Sequence, residues 1–310
     1  RTTGMSIFIG IDGGGSKTAC LVGDERSLLG SGVAGPSNVV RVGEGRAREA
    51  MHTAIRQACA QAGVDASKIS RTCVGIAGGA RSETAGPVLR ILSEIISGDI
   101  EIVGDMVIAM EAAAGSGPGV VVIAGTGSIA YGRNEAGRTA RAGGWGFAIS
   151  DEGSAHWIGR AVVAAVMRAF DEDQRAALLE ALMKVWQVKT REQMIMSANA
   201  SPPPDFAGLL PTVISAADAK DPIAQDVLAQ AGAELAILAK IVIARLFKRE
   251  QGVAVATSGG VFRNAALVRQ IFYNHLRLKY PKIIVSENVV DPVKGALALA
   301  RRGMQAAASG

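Results

Sequence analysis

The sequence predicts an α/β protein of two related domains with a cleft between them. Three observations carry this. First, an apolar run, a glycine turn with hydroxyl residues and a second apolar run occur twice, as IFIGIDGGGSKTACLV over 7–22 and GVVVIAGTGSIAY over 119–131. Each reads as a buried strand, a tight loop and a returning strand. Second, strand-like and helix-like segments alternate along the 310 residues, as layered α/β domains require. Third, hydrophobic residues make up 49% of the chain but aromatics only 4%, so the core must rest on small side chains and close backbone packing. The expected division is 5–118 and 119–310, with the last helix able to pack back on the first domain.

The elements follow in order. A hairpin-like start over 7–32 leads to the loop Gly35-Pro36-Ser37-Asn38. A helix over 45–62 carries Ala47, Met51, Ala54, Ile55, Ala58 and Ala62 at helical spacing, with Gly63 just past its end. A strand over 71–77, a helix over 86–96 and a strand over 101–103 come next, and 106–114 reads as helix. The C-terminal half is richer in helix, at 155–170, 175–186 and 224–248. Thr190 with Gln193 resembles a capping box. Ser201-Pro202-Pro203-Pro204 is a stiff connector. A strand over 253–258 ends in Gly259-Gly260, another covers 283–286, and Pro292 opens a final helix through Arg302.

Composition excludes several classes. The net charge of +5 comes from 33 basic and 28 acidic residues. The bases are scattered, so the chain carries ordinary surface charge and no nucleic-acid footprint. Cys20, Cys59 and Cys73 are odd in number and widely spaced, which defines neither a disulfide nor a metal framework. Buried thiols in a reducing compartment fit better. No secretory signal is evident and no apolar run reads as a membrane span, so a cytoplasmic location is expected. Residues 1–4 precede Met5 and read as a remnant of recombinant expression. The surface of 224–248 is available either to a second copy, as a homodimer, or to the chain's own core.

Two glycine turns suggest a nucleotide held between two similar halves, because successive loop N–H groups form a concavity suited to phosphate oxygens. Asp12-Gly13-Gly14-Gly15-Ser16-Lys17-Thr18 lies between strands, unlike a Walker loop, which opens a helix. Asp12 is the candidate Mg²⁺ ligand, and Gly14, Gly15, Ser16 and Lys17 are candidate phosphate contacts. A plain glycine hairpin competes with this reading. Thr126, Gly127 and Ser128 form the second candidate, with hydroxyl donors and no charge. Asp105 follows an apolar strand, where ligands of open α/β sheets gather and where a carboxylate can accept a proton. Pattern alone favours a helix cap there. Trp145 and Gly146, with Asp151, could bind a sugar through a ring face and hydroxyl hydrogen bonds. A core tryptophan and a capping acid are the alternatives. Gly259 and Gly260 could cradle adenosine or simply make a turn before a helix. His52, His156 and His275 carry no catalytic arrangement.

Together these residues resemble the N-acetylglucosamine kinase branch of the actin/hexokinase/Hsp70 ATPase superfamily, within the BadF/BadG/BcrA/BcrD ATPase family. The resemblance runs from Ile9 to the last helix. Its most specific stretch is Gly143-Gly144-Trp145-Gly146 followed by Asp151-Glu152-Gly153-Ser154-Ala155 and Trp157. It implies two ribonuclease H-like domains and an ATP- and Mg²⁺-dependent kinase acting on a small amino sugar, N-acetylglucosamine at its 6-hydroxyl, with glucosamine as the alternative. On this sequence it implies Ser16 near the ATP phosphates, the 126–128 turn as the second phosphate loop, and Ala207 bordering adenosine beside Gly259 and Gly260. Asn38, Trp145, Gly146 and Asp151 are implied to touch the sugar. Asp105 is implied to be the catalytic base, which reverses the preference for a cap. The iron–sulfur activators of the family need cysteines in a glycine-rich cluster loop, and none of the three cysteines lies in one. A sugar sensor without chemistry is the other rival. The apolar Ile129 is not assigned to ATP, and the pocket for the sugar's 2-substituent is not legible.

Overall fold

Alternation along β1 (Phe8–Gly13) sets the layering of the first half of the molecule. The computed structural model describes residues 6–79, 81–174 and 177–308, with side chains described through 303. The chain forms two compact units: residues up to Val121 together with those from Val290 onward, and Val122–Val289. In the first unit β1 is joined by β2 (Thr18–Gly23), β3 (Leu28–Ala34), β4 (Arg71–Ile76) and β5 (Asp99–Gly104) in the sheet order β3-β2-β1-β4-β5. β1 pairs antiparallel with β2 and parallel with β4, and β4 pairs parallel with β5.

Successive side chains of a strand point to opposite faces. Ile9 and Ile11 accordingly join one core with Met51 and Ile55 of α2 (Glu44–Ala62) and Val88 and Ile91 of α3 (Ser82–Ser93). Phe8 joins the other, with Ile108 of α4 (Asp105–Ala114) and Ala296, Leu297 and Ala300 of the final helix (Pro292–Ala308). The short α1 (Val39–Val42) precedes α2. The final helix thus belongs to the first unit, and it lies close to α4. A Cβ at Gly295 would overlap the Ile108 carbonyl oxygen.

The second unit contains β6 (Gly119–Ala124, whose first residues fall before the unit boundary), β7 (Ser128–Arg133), β8 (Thr139–Gly143), β9 (Ala254–Ser258) and β10 (Ile284–Val285). Their order is β10-β9-β6-β7-β8. Reversed, this is the order of the first sheet with every number raised by five, so one topology is stated twice. Its helices are α5 (Ala155–Asp171), α6 (Ala177–Val185), α7 (Arg191–Ala198), α8 (Leu210–Asp218), α9 (Pro222–Leu246), α10 (Gly260–Asn264) and α11 (Ala266–Lys279).

Several expectations are corrected. α3 begins at Ser82, a turn before the expected start, and holds Pro87 inside its first half. β8, α8 and α11 were not anticipated. Of the helix expected over 175–186, Arg175 and Ala176 lie outside the described residues, as do residues 1–4. Contrary to the reading that no run reaches a membrane span, α9 is long and apolar enough to cross one by length and composition, with 56% of its apolar window buried. It packs within the second unit against β7, β8, α5, α8 and α11, which accounts for an apolar character extending round most of its circumference. Thr190 does cap α7, its hydroxyl accepting the Gln193 N–H at 3.1 Å, while the Gln193 side chain accepts the Lys189 N–H at 2.8 Å.

A methyl group at residue 295 has nowhere to go but into the α4 backbone. Gly295→Ala should cost about 1–3 kcal/mol. Calorimetry should show a fall of several degrees in Tm, and an unchanged Tm would mean that the two helices can separate freely.

Candidate active site

The first glycine turn is held by the segment that follows β3. The Gly14 N–H donates to the Lys17 carbonyl at 2.9 Å, closing the turn. The Gly14 carbonyl in turn accepts the Ser37 N–H at 3.2 Å. The buried Thr18 hydroxyl bonds the Gly35 carbonyl and the Ser37 hydroxyl, each at 2.7 Å. Ser16 and Lys17 remain exposed at the tip, and Gly14 and Gly15 are partly exposed. Asn38 comes directly after this brace. Its side-chain oxygen accepts the Arg41 N–H at 3.2 Å and caps α1. Ser37 and Thr18 are site-building residues that the sequence reading did not single out. Their signal was two hydroxyl residues in otherwise apolar or glycine-rich surroundings.

Asp12 lies near the end of β1 and Asp105 just past the end of β5 in the same sheet, with β4 between them. Asp12 is in register with Gly75 on β4, and Gly75 with Val103 on β5. Asp105 follows Val103 by two residues. Both residues therefore sit at the carboxyl ends of parallel strands, two strand positions apart in the sheet. The alternation that sends Phe8 toward α4 also sends Asp12 to that face. Asp105 is the first residue of α4; Gly104 is the cap position and makes no side-chain cap bond. The Asp105 carboxylate accepts the adjacent Met106 N–H at 2.9 Å. The sequence-level cap reading is thus corrected by one position, and a carboxylate in the first turn gains from the helix dipole.

In the second unit the turn at Gly125-Thr126-Gly127 is gripped from the segment before α5. The Gly125 N–H donates to the Gly127 carbonyl at 2.9 Å. The Ala155 N–H donates to the Gly125 carbonyl at 2.8 Å, and the His156 N–H to the Thr126 carbonyl at 3.4 Å. The buried Ser128 donates its hydroxyl to the Glu152 carbonyl at 2.7 Å and its N–H to Asp151 Oδ1 at 3.3 Å. Asp151 is 8% exposed and sits at φ 68°. Burial pushes its carboxyl above the usual carboxylate range. The Ser128 N–H opposes this, Glu152 adds to it, and the Gly146 N–H opposes it again. Gly259, at φ 98°, brings the start of α10 against this turn, since a Cβ there would overlap the Ala124 carbonyl. Gly260 follows as the first residue of α10.

Ala207 is tied to the same assembly through aromatic packing. It begins a 3-10 turn after Phe206. The Phe206 ring meets His156 at 5.2 Å and Trp186 at 5.2 Å, and Phe147 meets His156 at 4.9 Å. His156, given no role from sequence, links the glycine turn to the 206–207 segment. Trp145 is 57% exposed, so it is not a core residue, and the Arg141 guanidinium lies 4.2 Å from its ring centre. The first unit thus holds Asp12, Gly14, Gly15, Ser16, Lys17, Asn38 and Asp105. The second holds Thr126, Gly127, Ser128, Trp145, Gly146, Asp151, Ala207, Gly259 and Gly260. Among the described residues there is no group of three or more His, Cys, Asp or Glu side chains arranged to hold a metal. Mg²⁺ is usually bound by one or two carboxylates plus substrate phosphates, and the strand-end carboxylate of Asp12, beside the first glycine turn, fits that pattern.

A sheet order stated twice, with a glycine turn between the first two strands of each copy, defines an α/β ATPase of the actin/hexokinase-like type. The fold is shared with a ROK family glucokinase from Streptomyces griseus solved with glucose and AMPPNP, at TM-score 0.61 and 17% identity over 96% of this chain and 100% of that one. The chain belongs to the BadF/BadG/BcrA/BcrD ATPase family, whose model matches residues 9–300. It is 32% identical over 303 residues to an N-acetylmuramic acid/N-acetylglucosamine kinase of Clostridium acetobutylicum, covering 96% of this chain and 99% of the relative. An N-acetyl-D-glucosamine kinase of Dictyostelium discoideum is 29% identical over 311 residues, covering 95% and 97%. A structure from Chromobacterium violaceum, proposed to be an N-acetylglucosamine kinase, superposes with TM-score 0.77 at 26% identity over 96% of this chain and 99% of that one.

The raised pKa of Asp151 has a measurable consequence. A carboxyl whose folded pKa lies above its unfolded value keeps its proton to higher pH in the folded chain, so stability falls as pH rises between the two values. The unfolded value is about 3.9. Asp151→Asn removes this dependence. The Tm of the variant relative to wild type should therefore rise as the pH is raised above about 4, and a difference that is flat with pH would refute the assigned direction.

Proposed function

We propose that the protein is an ATP-dependent amino-sugar kinase that phosphorylates N-acetylglucosamine at its 6-hydroxyl. The observation that carries this is the equivalent placement of the two glycine turns, between β1 and β2 and between β6 and β7, with Asp105 at the end of a parallel strand of the first sheet. The names of the full-length relatives support the substrate class.

Asn38, Trp145, Gly146 and Asp151 bind the sugar in this reading. The tips of the two turns, with the Ser16 and Thr126 hydroxyls and Lys17, hold the phosphates; Ser128, whose hydroxyl and N–H are spent on Glu152 and Asp151, shapes the second turn. Ala207, Gly259 and Gly260 border the adenosine. Asp105 accepts the proton of the 6-hydroxyl as that oxygen forms its bond to the γ-phosphorus. The bond from that phosphorus to the bridging β–γ oxygen breaks, and ADP leaves. Asp12 would hold Mg²⁺ together with the nucleotide phosphates, and the bound ion would supply charge neutralisation for the transferred group. Positioning and charge stabilisation supply most of the rate, since the transition state is loose.

The iron–sulfur activator reading is disfavoured by the cysteines themselves. Cys20, Cys59 and Cys73 are buried, and burial pushes the Cys73 thiol up to about 12, with Cys20 and Cys59 also raised. A cluster ligand needs an accessible thiolate.

The test is ADP release with Mg-ATP against N-acetylglucosamine, glucosamine, N-acetylmuramic acid and glucose. N-acetylglucosamine should give the highest kcat/KM, and release independent of any sugar would end the kinase reading. Asp105→Asn should lower kcat by about 10²–10⁴-fold while Mg-ADP affinity, read by calorimetry, stays within twofold of wild type. Near-normal turnover would remove Asp105 from the role of base.

A further inference from the structure

We propose that Asp151 is a positioning residue: its buried carboxylate ties the second glycine turn and the 144–146 segment to one fixed point. The inference rests on the kinase reading above and concerns how that site is held.

The carboxylate has partners on both sides. Oδ1 accepts the Ser128 N–H at 3.3 Å. The Gly146 N–H also donates to the carboxylate. Gly127 leaves room for it, since a Cβ there would sit 2.9 Å from Oδ2 and 3.3 Å from Oδ1. The backbone around Asp151 repeats the grip. The Asp151 carbonyl accepts the Ser154 N–H at 3.1 Å, and the Ser154 hydroxyl caps α5 by accepting the Trp157 N–H at 3.1 Å. That capped end carries the N–H groups of Ala155 and His156, which hold Gly125 and Thr126.

The residue stands where stability alone would not put it. It is a buried acid at positive φ, a region uncommon for non-glycine residues although aspartate, asparagine and histidine enter it more readily than the rest, so the cost lies chiefly in burying the charge. Conformations of this kind persist where the surroundings over-determine them, and they cluster at functional sites. A carboxylate has two acceptor oxygens and can satisfy two N–H donors at once. An amide of the same shape has one acceptor oxygen and turns an NH₂ toward the other donor. Two N–H donors leave other lone pairs of the carboxylate open, so the same group can hold the turn and still meet a sugar hydroxyl.

Positioning and direct sugar contact predict different losses on substitution. Mg-ADP affinity is measured by calorimetry without sugar, and Tm is measured on the unliganded protein at neutral pH. Asp151→Asn should weaken Mg-ADP binding about tenfold or more, the scale of a hydrogen bond to a charged group. Its Tm should equal or exceed that of wild type, because the variant relieves a buried charge. Gly127→Ala, which displaces the carboxylate and leaves its charge in place, should lower Mg-ADP affinity in the same way and keeps the idea testable if the first variant folds poorly. Unchanged Mg-ADP affinity with only a raised KM for the sugar would make Asp151 a plain sugar ligand and overturn the proposal. Lost affinity accompanied by a lowered Tm would assign the carboxylate to the fold and overturn it as well. A wild-type protein that binds no Mg-ADP would sink the kinase reading itself, a failure distinct from either.

Discussion

A glycine turn between two strands has no stiffness of its own, and both candidate phosphate loops depend on backbone hydrogen bonds donated by a later segment. In the first unit the Ser37 N–H reaches back to the Gly14 carbonyl at 3.2 Å, and in the second the Ala155 N–H reaches back to the Gly125 carbonyl at 2.8 Å. In each case the donor lies after the third strand of its sheet, so the two halves repeat the method of bracing along with the strand order. The carbonyls of Gly14, Lys17, Gly125, Thr126 and Gly127 accept hydrogen bonds from within the protein. The N–H groups of Gly14, Gly125 and Ser128 are committed inside the protein as well, so contact with an anion falls to the rest of each turn.

The two braces differ in chemistry. The first uses neutral hydroxyls, with the Thr18 and Ser37 side chains bonded to one another and fully buried. The second uses a carboxylate under desolvation, which is costlier to bury and stronger as an acceptor. The difference matches the two tips. The first turn carries its own cation, Lys17. The second has only hydroxyls and backbone, so its geometry must be held more firmly to be of use. Positions that cost stability, such as a buried acid at positive φ, are tolerated where precision is needed.

The strands β1, β2, β6, β7 and β9 were legible because apolar β-branched runs bounded by glycine leave few alternatives. Helices with small apolar residues at clean spacing, such as α2 and the final helix, were legible for the same reason. α11 was not, because Val268, Arg269, Phe272, Tyr273 and Asn274 mix weak helix formers with polar residues. It is held by Val268, Phe272 and Leu276, which meet the core at four-residue spacing, a tertiary contribution. α3, expected over 86–96, begins instead at Ser82, and its first turn is anchored by the buried Thr84. β8 was hidden because Thr139-Ala140-Arg141-Ala142 has little apolar pattern and is defined by its register with β7.

The site divides along the same line. The sequence by itself determined the duplicated strand–turn–strand phrase, the candidate phosphate loops and the acid after β5, because glycine, hydroxyl and carboxylate residues in a fixed local order have limited local meanings. Only the tertiary structure decided that Ser37 belongs to the first turn, that His156 connects the second to Phe206, and that the Asp151 carboxylate faces Gly127, Ser128 and Gly146. Those groups are separated by about twenty residues or more in most cases, and no local rule fixes which backbone donors a buried oxygen will find once the strands have paired.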